Sequence, residues 1–244
     1  MSRRDILGVG FDPISMGQAL QMLEEFIHSG KPHLAVTANP EMVMKARRDL
    51  LLAEILQRAD LVVADGIGVV WAASFLGQEV PERIPGIELA EALLARAGEK
   101  GWRVFLLGGE RGVAEKAAAA VSQRWPGLRI AGTHHGFFKG PEEEEILARL
   151  KEARPDILLA ALGVPRQEKW LAAHLAELRI PVAVGVGGSF NVWAGVDRRA
   201  PSWMRRMNLE WLYRLVRQPW RIRRMAVLPL FVLAVLKERL VKGR

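Results

Sequence analysis

A chain of 244 residues, half of them hydrophobic, is long enough to bury a large core, which excludes an intrinsically disordered protein. It has no cysteine, which excludes disulfides and cysteine-ligated zinc and favours a reducing compartment. Of its 35 basic and 27 acidic residues, 13 and 2 lie in residues 198–244, so this tail carries +11 and the first 197 residues carry −3. A basic tail on a mildly acidic body predicts a polyanionic partner, either nucleic acid or an anionic membrane.

Short β-rich runs alternate with helical stretches along the first 188 residues. The predicted strands are DILGVGF (5–11), HLAVTAN (33–39), LVVADG (61–66), WRVFLLGG (102–109), LRIAGTHHGF (128–137), DILLAALG (156–163) and PVAVGVGG (181–188). The predicted helices cover residues 16–30, 40–59, 86–101, 112–125 and 141–153. Several strands are apolar throughout, as strands covered on both faces are. The alternation predicts an α/β fold with a Rossmann-like, mostly parallel sheet and flanking helices over residues 1–197, followed by a helical appendage over residues 198–244.

Small and polar residues follow five of the predicted strands. They are Thr37 and Asn39, Asp65, Gly108 and Gly109, Gly163, and Gly187. Ligands of open parallel sheets bind in the crevice beyond the carboxyl ends of the strands, so we expect a binding site there. Turn formation is the alternative role for any single glycine among them.

An ordered set of motifs runs from about residue 5 to residue 225. The motifs are VTANPEMVMKA, ADGIGVVWA, VPERIPGIEL, FLLGG, ALGVPRQEKW, GVGGSFNVWAG, RRAPSWM and LEWLYRLVRQPWR. In sequence and order they resemble the WecG/TagA/CpsF glycosyltransferases (glycosyltransferase family 26). The resemblance implies an inverting transferase that moves an N-acetylmannosamine-type sugar from a UDP donor to a polyprenyl-diphosphate-linked N-acetylglucosamine. Such products are linkage units of wall teichoic acid or related surface polysaccharides.

The resemblance also implies roles for single residues. Asp65 matches the family's catalytic base, which takes the proton of the acceptor hydroxyl. Its alternative role is to cap a helix that begins near Ile67, and Asp60 is the structural acid of the same strand. Thr37 and Asn39 are expected to bind a sugar, although Asn39 also suits the N-cap of a helix that begins at Pro40.

Two further polar residues match family positions. Arg83 is expected to bind the diphosphate or the acceptor, and its alternative is a solvated surface arginine. Gln167 is expected in the pocket, and its alternative is a solvent-facing position in the first helical turn. For the neighbouring Glu168 and Lys169 we expect that solvent-facing position. Nucleotide contact is assigned to Gly108, Gly109, Gly163, Gly187 and Asn191, although Asn191 stands where the family is associated with an acid.

No metal and no other cofactor is predicted. The chain lacks the DxD pair with which many nucleotide-sugar enzymes hold a divalent cation. His134 and His135 are adjacent, and adjacent residues of a strand point to opposite faces, so we expect them to share no ion. The scarcity of asparagine, with three in the chain, is typical of proteins from thermophiles.

The basic tail predicts contact with a membrane. Arg214, Arg217, Arg221 and Arg224 follow one another at helical spacing and are expected to form a stripe that binds lipid headgroups or the acceptor diphosphate. The apolar run Met225–Leu236 is shorter than the roughly 20 residues that span a bilayer, and it suits a helix lying in the interface. Packing on the body, or on a sister subunit in a homo-oligomer, is the alternative.

The expected location is therefore the cytoplasmic face of the cell membrane, where the protein is peripheral. We see no segment typical of a signal peptide and no nucleic-acid-reading motif, so no nucleic acid partner is predicted. A competing interpretation is a non-catalytic nucleotide-binding α/β protein that docks on membranes. A nicotinamide-dependent oxidoreductase is disfavoured because the dinucleotide fingerprint is missing.

Overall fold

The computed structural model describes residues 2–219 and 222–242. Its strands are β1 (Arg4–Ile6), β2 (Val9–Phe11), β3 (His33–Ala38), β4 (Leu61–Ala64), β5 (Arg103–Gly108), β6 (Arg129–His134), β7 (Ile157–Ala161) and β8 (Val182–Gly185). Its helices are α1 (Met16–Ser29), α2 (Pro40–Ala46), α3 (Leu50–Arg58), α4 (Ile67–Phe75), α5 (Gly86–Lys100), α6 (Val113–Arg124), α7 (Pro141–Ala153), α8 (Arg166–Leu178), α9 (Ser189–Trp193), α10 (Ser202–Arg206), α11 (Glu210–Arg217), α12 (Ile222–Met225) and α13 (Val227–Lys242).

Six strands form one sheet in the order β4-β3-β8-β7-β5-β6, and every neighbouring pair is parallel. The prediction of an α/β fold with a mostly parallel sheet is therefore confirmed. Because all six strands run the same way, their carboxyl ends meet at one edge of the sheet.

Helices cover both faces of this sheet. Along β3, Val36 and Ala38 pack into the layer that contains α2, α3, α8 and α13, whereas Ala35 packs into the layer that contains α1, α5, α6 and α9. Successive side chains of a strand point to opposite faces, so a strand between two layers needs apolar residues at every position. This explains the unbroken apolar runs in the sequence.

Two predicted elements are divided in the structure. Residues 5–11, predicted as one strand, form the antiparallel hairpin of β1 and β2, with the turn at Leu7 (φ 56°) and Gly8 (φ 88°). Residues 40–59, predicted as one helix, form α2 and α3. Asp49 accepts a hydrogen bond from Leu52 N (3.1 Å) and starts α3 as its N-cap, because aspartate caps a new helix more readily than it continues an old one.

The C-terminal helices pack back onto the body. α13 contacts α2 and α4, and its Phe231 and Val235 are fully buried in the core layer on that side of the sheet. Arg199 pairs with Glu88 of α5 (2.6 Å) and Glu210 of α11 (3.7 Å), which ties the start of the tail to the body. Within the described ranges, no helix is both long and apolar enough to cross a membrane. The division of the chain at residue 197 stays a prediction.

Candidate active site

Four neighbouring strands deliver polar groups to the carboxyl edge of the sheet. Asp65 follows β4, Thr37 lies near the end of β3, and Gly187 follows β8. Gln167 lies in the first turn of α8, directly after β7. The strand-end residues predicted to form a crevice therefore lie side by side along adjacent strands.

Asp65 and Thr37 lie against the first residue of α5, Gly86. A Cβ at Gly86 would stand 2.6 Å from Thr37 Oγ1 and 3.4 Å from Asp65 Oδ2, so only glycine leaves the Thr37 hydroxyl in its present position. Asp65 is not the N-cap residue of α4, because Gly66 holds that position. The importance of Gly86 could not be read from sequence, since Thr37 and Gly86 are far apart along the chain.

The other strand-end polar residues have structural roles that the sequence predicted. Asn39 Oδ1 accepts a hydrogen bond from Met42 N (3.0 Å) and caps α2, so the capping role is confirmed. Sugar binding by Thr37 and Asn39 stays a prediction. Asp60, at the other end of β4, accepts a hydrogen bond from Leu34 N (2.8 Å) and pairs with His33 (3.1 Å), as expected of a structural acid.

Gln167 and Glu168 form a buried pair behind the end of β8. Both side chains are almost fully buried, with exposed fractions of 3% and 1%. The solvent-facing position expected for Glu168 is therefore wrong, and the solvent-facing alternative for Gln167 is excluded, while substrate contact by Gln167 stays a prediction. Gln167 Nε2 donates to Glu168 Oε1 (2.7 Å), and Gln167 Oε1 accepts from Gly187 N (3.3 Å). Gly185 makes room for the pair, because a Cβ there would lie 2.5 Å from Gln167 Nε2. Lys169, the next residue, is partly exposed and pairs with Asp49 (2.6 Å).

Burial changes the protonation of Glu168. Loss of hydration raises the pKa of its carboxyl to about 7, although the hydrogen bond from Gln167, the backbone N–H of Glu168 itself and the charge of Lys45 all lower it. A carboxylic acid with this pKa exchanges its proton near neutrality, which an ordinary surface glutamate does not do. Nothing in the local sequence predicts this pKa, apart from the position of Glu168 next to Gln167.

Arg83 lines a cavity beside Asp65. Ile84, which follows Arg83, donates its backbone N–H to the carbonyl oxygen of Ala64, which precedes Asp65 (2.8 Å). This bond holds the two segments side by side. The cavity, of about 450 Å³, is lined by Ile67, Arg83, Glu88, Ser202, Arg205, Arg206 and Asn208. Three guanidinium groups and one carboxylate give it a positive balance, which suits phosphate oxygens. Arg83 is half-buried at this cavity, and its contact with the diphosphate or the acceptor stays a prediction. Arg205 and Arg206 were not anticipated.

The predicted nucleotide-binding residues lie at the ends of β5, β7 and β8. Gly108 approaches the backbone of Ala161 more closely than any side chain would allow, and Gly109 N donates to Ala161 O (3.0 Å), so these two glycines serve strand packing. Gly163 (φ 80°) and Gly187 (φ 50°) border open space. Asn191 lies half-buried in α9. Nucleotide contact by these five residues stays a prediction.

His134 and His135 converge on one carboxylate, contrary to the expectation that they face opposite sides. Their Nε2 atoms lie 3.9 and 3.3 Å from Glu142 Oε1, and their rings are 4.4 Å apart. β6 ends at His134, so the alternation of a strand does not extend to His135. The three ligand atoms lie within 4.8 Å of one another, close enough to hold an ion. However, His135 Nδ1 accepts from Phe137 N (3.3 Å), which leaves the proton on Nε2, toward Glu142. The prediction that the protein holds no metal stays a prediction.

The tail arginines are described only in part. α11 ends at Arg217, before Pro219, so the predicted stripe does not lie on one helix. Arg217 is exposed and contacts Tyr213, with its guanidinium 5.9 Å from the ring centre. Arg221 lies outside the described residues, as do the side chains of Arg214 and Arg224. The stripe therefore stays a prediction.

Comparison with known proteins agrees with this geometry. The model of the glycosyl transferase WecG/TagA/CpsF family matches residues 4–244. Relatives from Staphylococcus aureus strains MW2 and NCTC 8325 / PS 47 are each 38% identical to the chain over 237 residues, covering 96% of the chain and 92% of the relative. Both are N-acetylglucosaminyldiphosphoundecaprenol N-acetyl-beta-D-mannosaminyltransferases. The resemblance noted in the sequence is confirmed, and the protein belongs to the WecG/TagA/CpsF family of glycosyl transferases.

Proposed function

We propose that the protein transfers N-acetylmannosamine from a UDP donor to N-acetylglucosamine carried by a polyprenyl diphosphate. The observation that carries this proposal is the similarity to the staphylococcal N-acetylmannosaminyltransferases, which extends over nearly the whole of both chains. The candidate site supports it, because a carboxylate and an arginine-lined cavity adjoin at the carboxyl edge of the sheet.

In this proposal Asp65 is the general base. Its carboxylate takes the proton from the acceptor hydroxyl while the hydroxyl oxygen bonds to the anomeric carbon of the donor. The bond to UDP breaks on the opposite face, so the configuration at that carbon inverts. Arg83, helped by Arg205 and Arg206, stabilises the negative charge of a diphosphate group in the adjoining cavity. Gln167, with Thr37 and Asn39, orients the sugar.

We also place the enzyme on the cytoplasmic face of the membrane, where a polyprenyl-linked acceptor has its headgroup. Exposed apolar side chains on α13, among them Leu233, Leu240 and Val241, are available to an interface. The surplus of positive charge in residues 198–244 favours anionic lipid. α13 thus combines the two alternatives for the tail: one side packs on the body, and the other remains exposed.

The proposal is tested by supplying the full-length protein with polyprenyl-diphosphate N-acetylglucosamine and, separately, three UDP donors: N-acetylmannosamine, its uronic acid and N-acetylglucosamine. Mass spectrometry of the extracted lipid should show the mass of one added N-acetylhexosamine with UDP-N-acetylmannosamine. An equal amount of product with UDP-N-acetylglucosamine would contradict the proposal that N-acetylmannosamine is the sugar transferred. The absence of product with all three donors would contradict sugar transfer itself.

A further inference from the structure

Glu168 is a buried acid that the proposed chemistry leaves without a role. Its Oε1 accepts from Gln167 Nε2 (2.7 Å), while its Oε2 is buried and has no hydrogen-bond partner. A buried carboxyl oxygen is stabilised by a partner in either protonation state, because the ionised form needs a donor and the neutral form carries a proton to donate. Packing of the fold does not explain this unsatisfied oxygen, which indicates that Glu168 has a functional role.

Few charged groups act on this carboxyl. Lys45 of α2 is the cation that does, while its own Nζ donates to Val164 O (3.0 Å). Ion pairs join α8 to its neighbours: Lys169 with Asp49 (2.6 Å), His174 with Glu143 (3.5 Å), and Glu177 with Lys151. On β3, His33 pairs with Asp60 at the far end of the strand (3.1 Å). An additional charge brought into the crevice would thus act on Glu168 with little local compensation.

The pair also fixes an amide. Gln167 Oε1 accepts a hydrogen bond from Gly187 N, and Gln167 Nε2 donates one to Glu168 Oε1. These two bonds fix the positions of the oxygen and the nitrogen of the amide. The second Nε2 hydrogen remains for another acceptor. We propose that Glu168 is a positioning residue of the transfer site, which orients the Gln167 amide for the substrate and takes up a proton when the anionic nucleotide-sugar binds.

This inference rests on the proposed function, because the donor supplies the anion. The donor's diphosphate, which the proposed function places in the arginine-lined cavity at the same edge of the sheet, disfavours a further negative charge in the transfer site. One solvent proton therefore moves to the Glu168 carboxyl on binding. The pKa of Glu168 in the free enzyme, about 7, is then raised further in the complex. Below pH 7 the carboxyl is already protonated and donor affinity is constant. Above pH 7 affinity falls, by up to about 10-fold for each pH unit, until the pKa of the complex is reached.

The test is calorimetric titration of the full-length protein with UDP-N-acetylmannosamine, whose diphosphate is a diester and does not titrate in this range. Titrations at pH 6 and pH 8 are each run in two buffers of different ionisation enthalpy. For the parent at pH 8, we expect uptake of up to about one proton per donor and an affinity about 10-fold lower than at pH 6. Equal affinity at both pH values, with no proton uptake at pH 8, would overturn the inference even if every variant failed to fold.

Variants then assign the proton. Glu168→Gln keeps the acceptor for Gln167 but cannot ionise, so proton uptake should vanish while affinity at pH 6 is kept. Glu168→Leu removes the acceptor and should weaken binding about 10-fold at both pH values, which a purely titrating role would not do. Glu177→Gln changes the same charge on an exposed part of α8 and should behave like the parent.

Two failures are distinguishable. A parent that does not bind the donor at pH 6 contradicts the proposed function and the inference with it. If the parent binds the donor and Glu168→Gln takes up as much proton as the parent does, the assignment to Glu168 is wrong and the proposed function is unaffected.

Discussion

At the residue scale, the absence of one methyl group sets the space beside Asp65. Gly86 begins α5 with its Cα against Thr37 and Asp65, and Thr37 is buried and β-branched, so its hydroxyl has little freedom to move away. The φ angle of Gly86 is not in the left-handed region, so an alanine fits the backbone and acts only through its side chain.

We therefore expect Gly86→Ala to displace the Thr37 hydroxyl and to lower the rate of sugar transfer by at least about 10-fold, as misplacement of positioning groups does. Gly98→Ala is the matched control on the same helix, because its Cβ would meet no atom closer than 3.5 Å. The control should transfer sugar like the parent and unfold at the same or a slightly higher temperature. Equal activity of both variants would show that the space at Gly86 is not needed.

Sequence reasoning located only some of these residues. Asp65, Thr37 and Asn39 were visible because they follow predicted strands, and Gln167 was singled out by the family resemblance. Gly86 and Glu168 were not, because their roles depend on contacts with strands distant along the chain, and a glutamate in a first helical turn ordinarily faces water. The two histidines were misassigned because the end of a strand is not marked in the sequence.

At the scale of elements, α13 is apolar around most of its circumference, which explains why its sequence allowed both packing and membrane contact. The structure separates its sides: Phe231 and Val235, four residues apart, are buried, whereas Leu233 is 61% exposed. Hydrophobicity alone could not tell these sides apart. The division of residues 40–59 into α2 and α3 had a local signal, the aspartate at position 49.

Phe231→Ala should lower the free energy of unfolding by about 3–5 kcal/mol, since it leaves a cavity between α13 and the body. Leu233→Ala, on the exposed side, should change it by less than about 0.5 kcal/mol. Denaturant unfolding of the two variants and the parent measures both quantities. If Phe231→Ala were as stable as Leu233→Ala, the docking of α13 on α2 and α4 would be wrong.

At the scale of the whole molecule, charge is separated along the chain, with +11 on the last 47 residues and −3 on the rest. Composition alone predicted that the partner carries negative charge. The choice of a lipid surface over nucleic acid depended on the apolar run beside the arginines. α13 leaves apolar side chains exposed, and contact with a lipid surface stays a prediction.

We expect the protein to sediment with anionic vesicles at low salt and to be released as salt approaches 1 M, where the screening length falls to about 3 Å. Replacing Arg214, Arg217, Arg221 and Arg224 together by glutamine should weaken binding by about 10²–10³-fold, because each cation contributes about 1 kcal/mol. The matched control replaces four exposed arginines of the body, Arg58, Arg96, Arg103 and Arg129. Equal losses in both variants would show that net charge alone, and not the tail, directs binding.

The central claim is that Asp65 is the base of a sugar transfer. It is tested most directly by the turnover of Asp65→Asn on UDP-N-acetylmannosamine and the lipid-linked acceptor, with Asp60→Asn as the control at the other end of β4. Turnover of Asp65→Asn should fall at least about 10²-fold while donor affinity and melting temperature stay near those of the parent. Asp60→Asn should instead lower the melting temperature, because it weakens the contacts to Leu34 and His33, and keep its turnover. Turnover of Asp65→Asn within a few-fold of the parent would contradict the account.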